Sequence, residues 1–520
     1  MKGSDLIRKK FVCLIILLGY ESAFIKNYPL RRKFMNTILI IFILYCIGIC
    51  TIGIYFSKSI QTKSDFLLGG KKIPGWVLAF SERATGESAW LLLGYTGFVF
   101  MTGLSGIWVA IGISIGIIFS WVFLAKRFMK ETEKYDVLTL SDYLAVRFGQ
   151  KANVIRWLAS LLIVGLMIFY IGAQMAGAGK ILFTTFNLPI IVGVVLSCAV
   201  IIFTSFSGGF ISVVWTDMIQ SLMMIVTLVG LPIVAFTHIV ANDISVTDSL
   251  LRAGDSFDAW FGGLSGFAIG VLFFNNFSWF FGFLGGQPQL SARFMALKNE
   301  KEANQGTIVA TVWTILAYVG AFSIGIAGIA LYNQGSFSDV ETMMPTMVLE
   351  LMPPWIAGII LAGVLAAINS TANSQIMVIT SSITEDIVHK TLKLRLTEKQ
   401  LILLSRISII IIALVGMVIA LVSDSLVYLV VSWAWAGIGC TLSPAILMTF
   451  FWKRYSSIGV IATIISGFVS TVLWISTPLE SIITSRFTTF FIAAFFGIVF
   501  SLVFPDKNRI DKDADTEVVV

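Results

Sequence analysis

The sequence predicts an all-α integral membrane protein of about thirteen transmembrane helices, ten of them forming two five-helix inverted repeats. Three observations predict it. Of 520 residues, 57% are hydrophobic and 12% charged, with a mean hydropathy of +0.91; a chain so poor in charge cannot cover its apolar surface in water, and the surplus faces lipid. Basic residues cluster on alternate loops. Two predicted spans, five apart, carry polar or glycine-proline interruptions at membrane depth.

Apolar windows of helical length fall near 36–56, 75–100, 104–125, 153–178, 187–206, 209–237, 263–285, 307–331, 353–381, 401–422, 426–451, 457–476 and 487–504. A helix needs about 20 residues to cross a hydrocarbon core of about 30 Å at about 1.5 Å per residue. Loops that run from Lys58 to Lys512 on one side hold about 22 Lys and Arg, against Lys180, Arg252 and Arg486 on the other. The positive-inside rule then sets the start of span one outside and the C-terminus in the cytoplasm. Residues 1–34 form a basic extension whose apolar run, Phe11 to Tyr20, is too short to span. Met35 is an alternative start. Residues 35–74 hold span one and its loop, 75–237 the first repeat (spans two to six), 263–451 the second (spans seven to eleven), and 457–504 the last two helices. Residues 505–520 are a polar cytoplasmic tail.

The same composition excludes several classes of function. The net charge of +7 lies in short loops and not along one face, so it sets topology and does not signal nucleic acid. Five scattered cysteines show no metal spacing, and His238 and His389 sit at predicted helix ends, which argues against a zinc centre or an intramembrane Ser/His enzyme. Gly179-Lys180 is followed by Ile181, so no phosphate-binding loop is present there.

Span two is interrupted by Ser81-Glu82-Arg83-Ala84-Thr85-Gly86-Glu87-Ser88. Each of its charges would cost about 2.5–3.5 kcal/mol facing lipid, so they face the interior, pair with one another, or line a wet cavity. Glycine and small polar residues make unwinding easy, and unwound carbonyls can bind a cation; the plainer alternative is a structural Arg–Glu pair. Span seven carries Asn275, Asn276 and Ser278 before Gly285-Gly286-Gln287-Pro288, the signature of a broken helix. Because five is odd, successive five-helix units enter from opposite faces, the arrangement of an inverted repeat. Asp217 in span six and Asn369-Ser370-Thr371-Ala372-Asn373-Ser374 in span nine add a carboxylate, hydroxyls and amides at membrane depth. Oxygen ligands of this kind suit a hard cation such as sodium, although Ser/Thr rows also serve as interhelical hydrogen-bond partners.

At these residues the sequence resembles the sodium/solute symporter family, and within it the members that carry proline. The likeness runs from about Met35 to Phe504. It is carried by Ser64-Asp65-Phe66-Leu67-Leu68-Gly69-Gly70, Ser88-Ala89-Trp90-Leu91-Leu92-Leu93-Gly94, Leu138-Thr139-Leu140-Ser141-Asp142-Tyr143, Gly208-Gly209-Phe210 with Trp215-Thr216-Asp217, Gly286-Gln287-Pro288, Ala292-Arg293-Phe294-Met295, Ser370-Thr371, Ile383-Thr384-Glu385-Asp386 and Ala434-Trp435-Ala436-Gly437.

The resemblance implies a leucine-transporter-like core and symport of sodium with a small solute, L-proline first, with pantothenate, another amino acid or a sialic acid as alternatives. It implies a sodium ion held by backbone oxygens of Ala84, Glu87 and Ala367 and the hydroxyls of Ser370 and Thr371. A further sodium position in some relatives matches Asp217, Ser370, Asn373 and Ser374. The implied solute residues are Ser88, Trp90 and Tyr170, an aromatic from Trp279 or Phe280, and Pro288. One departure stands out: the family's proline carriers have an aspartate where this chain has Gly86, followed by Glu87. A one-residue shift turns a side chain by about 100° on a regular helix, so Glu87 does not inherit the aspartate's role by position. It is expected either to support the sodium ligands from behind or to make transport proton-sensitive.

Overall fold

A computed structural model describes residues 29–57, 62–423 and 425–506. Residues 1–28 and 507–520, most of the expected extension and tail, lie outside the described residues. Among the described residues the secondary structure is helical throughout, without a strand.

Among the described residues, ten helices are long and apolar enough to cross a membrane. One of them, Gly75–Tyr135, reverses at Gly103, whose φ is 65°. The Tyr95 hydroxyl reaches the carbonyl of Gly106 at 3.1 Å, eleven residues on; a straight helix would hold those positions about 16 Å apart. Two shorter apolar helices, Ile190–Phe206 and Phe267–Gly282, complete the set. Counting the hairpin twice and adding both short helices gives thirteen crossings, at the positions read from the sequence. Gly209, at φ 52° and ψ −156°, separates spans five and six inside the long helix Ile190–Ala241. This conformation is costly for any residue with a Cβ.

Two helices differ in length from their apolar windows. Span eight starts at Glu300, capped by Asn299, whose side chain accepts the Glu302 amide; its first turns are polar, so hydropathy alone misses them. Gly75, at the head of span two, lies against the Glu302 backbone so closely that a Cβ would collide with it, and its amide donates to Glu302 Oε2 at 2.5 Å. Span nine continues past Ser381 in wide π-turns to Thr391.

Burial sorts the helices. In the central hydrophobic window, 83% of span nine and 89% of span eleven is buried, against 18% for span one and 28% for the last helix. Spans nine and eleven are therefore central, and the first and last helices lie at the periphery with large apolar side chains such as Leu44, Phe495 and Val503 exposed. Polar residues concentrate in the middle instead: Ser81, Arg83, Thr85, Glu87, Asp217, Arg293 and Ser370 through Ser374 except Ala372 are all buried polar groups. The inversion of the water-soluble pattern is what a bilayer solvent selects.

Candidate functional site

The site is organised by the break in span two. Helix Gly75–Ala89 is interrupted at Ser88, with φ 45° and ψ −165°, and continues as π-turns from Trp90 to Tyr95. A non-glycine residue there costs on the order of 1–3 kcal/mol, strain that clusters at functional sites. The backbone freed by the break finds side-chain partners: the Ala89 amide donates to Gln174 Oε1 at 3.2 Å and the Trp90 amide to Ser88 Oγ at 3.1 Å.

Just before the break, span two meets span nine. Thr371 Oγ1 donates to the carbonyls of Thr85 at 3.0 Å and Ala84 at 3.4 Å, and Ser370 Oγ lies 3.3 Å from the Ala367 carbonyl. Of the five expected sodium ligands, Thr371 and the Ala84 carbonyl meet across the two helices, while Ser370 and the Ala367 carbonyl meet within span nine. The fifth, the Glu87 carbonyl, receives the Trp90 amide at the break.

Asp217 reaches the same region from span six. Its Oδ2 accepts from Ser81 Oγ at 2.7 Å, Thr85 Oγ1 at 3.3 Å, Ser374 Oγ at 3.4 Å and Arg293 Nη2 at 3.0 Å. Of the residues expected at a further sodium position, Asp217 and Ser374 come together. Asn373 turns away: its Oδ1 accepts from Thr204 and Ser205 at 3.0 and 2.9 Å. Its place just before Lys298 and Lys301 groups Arg293, by sequence, with the basic residues of a cytoplasmic loop. Past the break at Gly285-Gly286 the chain instead forms the short helix Pro288–Met295, which buries this guanidinium completely. The flanking Phe294 and Met295 were the only sequence signal that position 293 points inward.

The charges of span two pair with one another. Arg83 binds Glu82 through Nη2 and Nε, and Glu87 Oε1 through Nη1 at 2.8 Å. Trp121 Nε1 donates to Glu82 at 2.9 Å and the Tyr318 hydroxyl donates to Glu87. A Cβ at Gly86 would meet Arg83 Nη2 and Leu290 Cδ2 at 3.5 Å, ordinary van der Waals contact, so the arrangement does not itself require glycine there.

Beyond the break lies an aromatic pocket, closed in this structure even to a water-sized group, lined by Gly86, Glu87, Trp90, Tyr170, Trp279 and Trp435 among others. Trp90 and Trp279 are 4.5 Å apart between ring centres, Tyr428 stacks on Trp90 at 6.0 Å, and Tyr170 pairs with the Ser88 side chain. Trp90 Nε1 is buried there without a hydrogen-bond partner, an unusual state for a donor and one that a polar ligand would relieve. Phe280 packs instead against Phe119 and Phe277, and Pro288 lines a different cavity beside Arg293 and Ser374. Those two expected solute residues are therefore not in the aromatic pocket, because the four-residue turn Trp279–Gly282 points Phe280 outward and Pro288 opens the helix after the break. Trp435 and Tyr428, which sequence reasoning left out, are in it or over it.

Each end of the bundle carries a latch. At one, Lys180 binds Asp339 at 2.8 Å and Glu341, and Glu341 accepts the amides of Val427 and Tyr428 at 3.1 and 2.9 Å, capping the helix that carries Tyr428. At the other, Asp386 accepts from Thr139 and Ser141, each at 2.7 Å, while Arg156 and Lys390 both bind Asp142. Two ion-paired closures with a polar, broken-helix centre between them suit a carrier that opens to one side at a time.

A family model described as the sodium:solute symporter family matches residues 66–467. The chain is 32% identical over 432 residues to the high-affinity proline transporter PutP of Bacillus subtilis, covering 82% of this chain and 90% of that one. It is 31% identical over 443 residues to the sodium/proline symporter of Escherichia coli, covering 84% and 87%. In structure it resembles a Na+-coupled sialic acid symporter in a substrate-bound outward-open state, with a TM-score of 0.73 at 20% identity over 91% of this chain and 99% of that one. It also resembles Mhp1, a nucleobase-cation-symport-1 family transporter, with a TM-score of 0.55 at 13% identity over 86% and 97%. These likenesses establish the leucine-transporter-like fold. With the family model covering most of the chain and relatives above 30% identity over most of their length, the chain belongs to the sodium:solute symporter family.

Proposed function

We propose that this protein carries L-proline, or a similarly small zwitterion, inward across the plasma membrane together with sodium, as a carrier and not as an enzyme. The observation that bears most weight is the contact of Thr371 with the Ala84 and Thr85 carbonyls beside the break at Ser88. Sodium held by the carbonyls of Ala84, Glu87 and Ala367 and the hydroxyls of Ser370 and Thr371 would tie span two to span nine. That tie orders the broken helix and the pocket next to it. Ion and solute then strengthen each other's binding by the same factor. The solute's apolar ring packs among Trp90, Tyr170 and Trp279, with Ser88 and the unpartnered Trp90 Nε1 beside its carboxylate. Repeats 75–237 and 263–451 rock about this centre to open one latch and then the other, with the start of span one outside and the C-terminus in the cytoplasm. The printed names of the proline-carrying relatives support the choice of solute.

Uptake of labelled proline, pantothenate and sialic acid into proteoliposomes under sodium, lithium or proton gradients tests the proposal. Saturable proline uptake driven by sodium is expected. Uptake indifferent to the sodium gradient would end the symport reading, and sodium-driven uptake of another solute alone would end the proline assignment. Trp90→Ala is expected to raise the proline concentration for half-maximal uptake by about tenfold, the equivalent of about 1.4 kcal/mol of lost ring contact, with sodium dependence retained. Glu87→Gln is expected to shift either the sodium requirement or the pH profile of uptake; a variant with both unchanged removes Glu87 from the coupling mechanism.

A further inference from the structure

Span seven carries Asn275 and Ser278, polar residues that neither the ion contacts nor the solute contacts use. Asn275 lies in the last turn of helix Phe267–Phe277, where carbonyls lack helical partners. Its carbonyl accepts from Ser278 Oγ at 2.7 Å. Its side chain holds the loop before the last helix, with Nδ2 donating to the Ile482 carbonyl and Oδ1 accepting the Thr484 amide, each at 2.9 Å. The last helix, Ser485–Val503, lies at the periphery, yet its first turn sends Arg486 inward, where it is only 4% exposed. Nε donates to Ser278 Oγ at 3.2 Å, Nη2 to the Asn275 carbonyl at 3.1 Å, and Nη1 to Ser432 Oγ on helix Val427–Trp435. The guanidinium carbon lies 4.5 Å from the centre of the Trp279 ring. Among the described residues these partners are two hydroxyls, a carbonyl and a ring, with no carboxylate, so cation–π attraction and neutral oxygens hold the charge. A buried cation kept without a counter-ion is costly, and such residues mark function.

We propose that Arg486 is a positioning residue for the solute pocket: it pins the turn Trp279–Gly282 so that Trp279, and not Phe280, faces Trp90, and it fixes that wall to the helix that carries Tyr428 and Trp435. The inference rests on the reading of the aromatic pocket as the solute site. Trp279 is held from two directions, by the Trp90 ring and by the guanidinium, each at 4.5 Å. Arginine suits the role because its planar fork spans several oxygens while its face stacks on an indole, a combination lysine does not offer.

Initial rates of labelled proline uptake at saturating sodium, in proteoliposomes of the full-length protein, test this through a double-mutant cycle. Arg486→Gln is expected to raise the proline concentration for half-maximal uptake by about tenfold, with the maximal rate per folded protein and the sodium dependence retained. Arg486→Lys, which keeps the charge without the fork, should fall between that variant and the native protein. In a Trp279→Ala background no ring is left to position, and Arg486→Gln should add less than about twofold. A purely structural docking of the last helix would lower the yield of folded protein or the maximal rate and leave half-saturation unmoved; that result would overturn the proposal. Effects of Arg486→Gln and Trp279→Ala that simply multiply would overturn it too. Should Arg486→Gln fail to fold, Ser432→Ala, which removes one anchor of the guanidinium, carries the same cycle with an expected rise of about threefold. An unmoved half-saturation in that variant has the same force. A native protein that takes up no proline would instead bring down the solute reading beneath the inference.

Discussion

Thr371→Ala is expected to raise the sodium concentration for half-maximal uptake by about tenfold or more, while solute affinity at saturating sodium stays near its native value. Thr371 Oγ1 is the one span-nine hydroxyl in direct contact with both the Ala84 and Thr85 carbonyls of span two. Its loss removes one proposed ion ligand and one of the ties that hold the two helices in register. A hydrogen bond or ligand of this kind is worth about 1–2 kcal/mol, which is about tenfold or somewhat more in affinity. Thr371→Ser keeps the hydroxyl and should recover most of the sodium affinity, which separates loss of a ligand from loss of packing. Initial rates of proline uptake measured against sodium concentration provide the check. A native sodium dependence in Thr371→Ala would mean that this meeting of spans two and nine is glue and not an ion site.

Arg83→Ala is expected to destabilise the protein by about 3–5 kcal/mol, the cost of leaving buried carboxylates without their counter-charge. Arg83 is fully buried and is ion-paired to both Glu82 and Glu87. Removing it leaves two negative charges five residues apart on one helix, with the Trp121 indole and the Tyr318 hydroxyl left to stabilise them. The triple variant Arg83→Ala/Glu82→Gln/Glu87→Gln should recover much of the loss, because deleting a whole buried charge group is far less costly than deleting one member. Thermal unfolding in detergent, followed by the monodisperse fraction on size exclusion, reads both. An Arg83→Ala protein that melts with the native one would show that the cluster is solvated and not a structural unit.

Much of the fold was legible because the bilayer imposes a simple rule. A segment that is apolar for about 20 residues must span, and basic loops alternate by side. The thirteen crossings follow from that rule alone, even where Gly103 and Gly209 hide a chain reversal or a break inside one continuous run of helix. The break in span two was legible as well, since Thr85-Gly86-Glu87-Ser88 is a poor helix sequence at membrane depth. Legibility failed where a residue's surroundings come from distant segments. Phe280 and Trp279 are adjacent and chemically alike, yet only Trp279 lines the pocket, because which one faces inward depends on a single turn of helix. Arg293 reads as a loop cation because a positive charge in a short loop is normally topological; apart from its apolar neighbours Phe294 and Met295, nothing local says that the helix Pro288–Met295 brings it to Asp217.

The sequence by itself determined that this chain lives in a bilayer, how often it crosses, and where its helices break, because hydropathy, charge and backbone propensity act over a few neighbouring residues. Only the tertiary structure decided who partners whom at the centre. It set Glu87 against Arg83 and Tyr318, Asn373 against Thr204 and Ser205, and Asp217 against Arg293. The physical reason is that a buried charge must find its partner across helices far apart in sequence, and that choice depends on helix rotation and depth, which local composition leaves open.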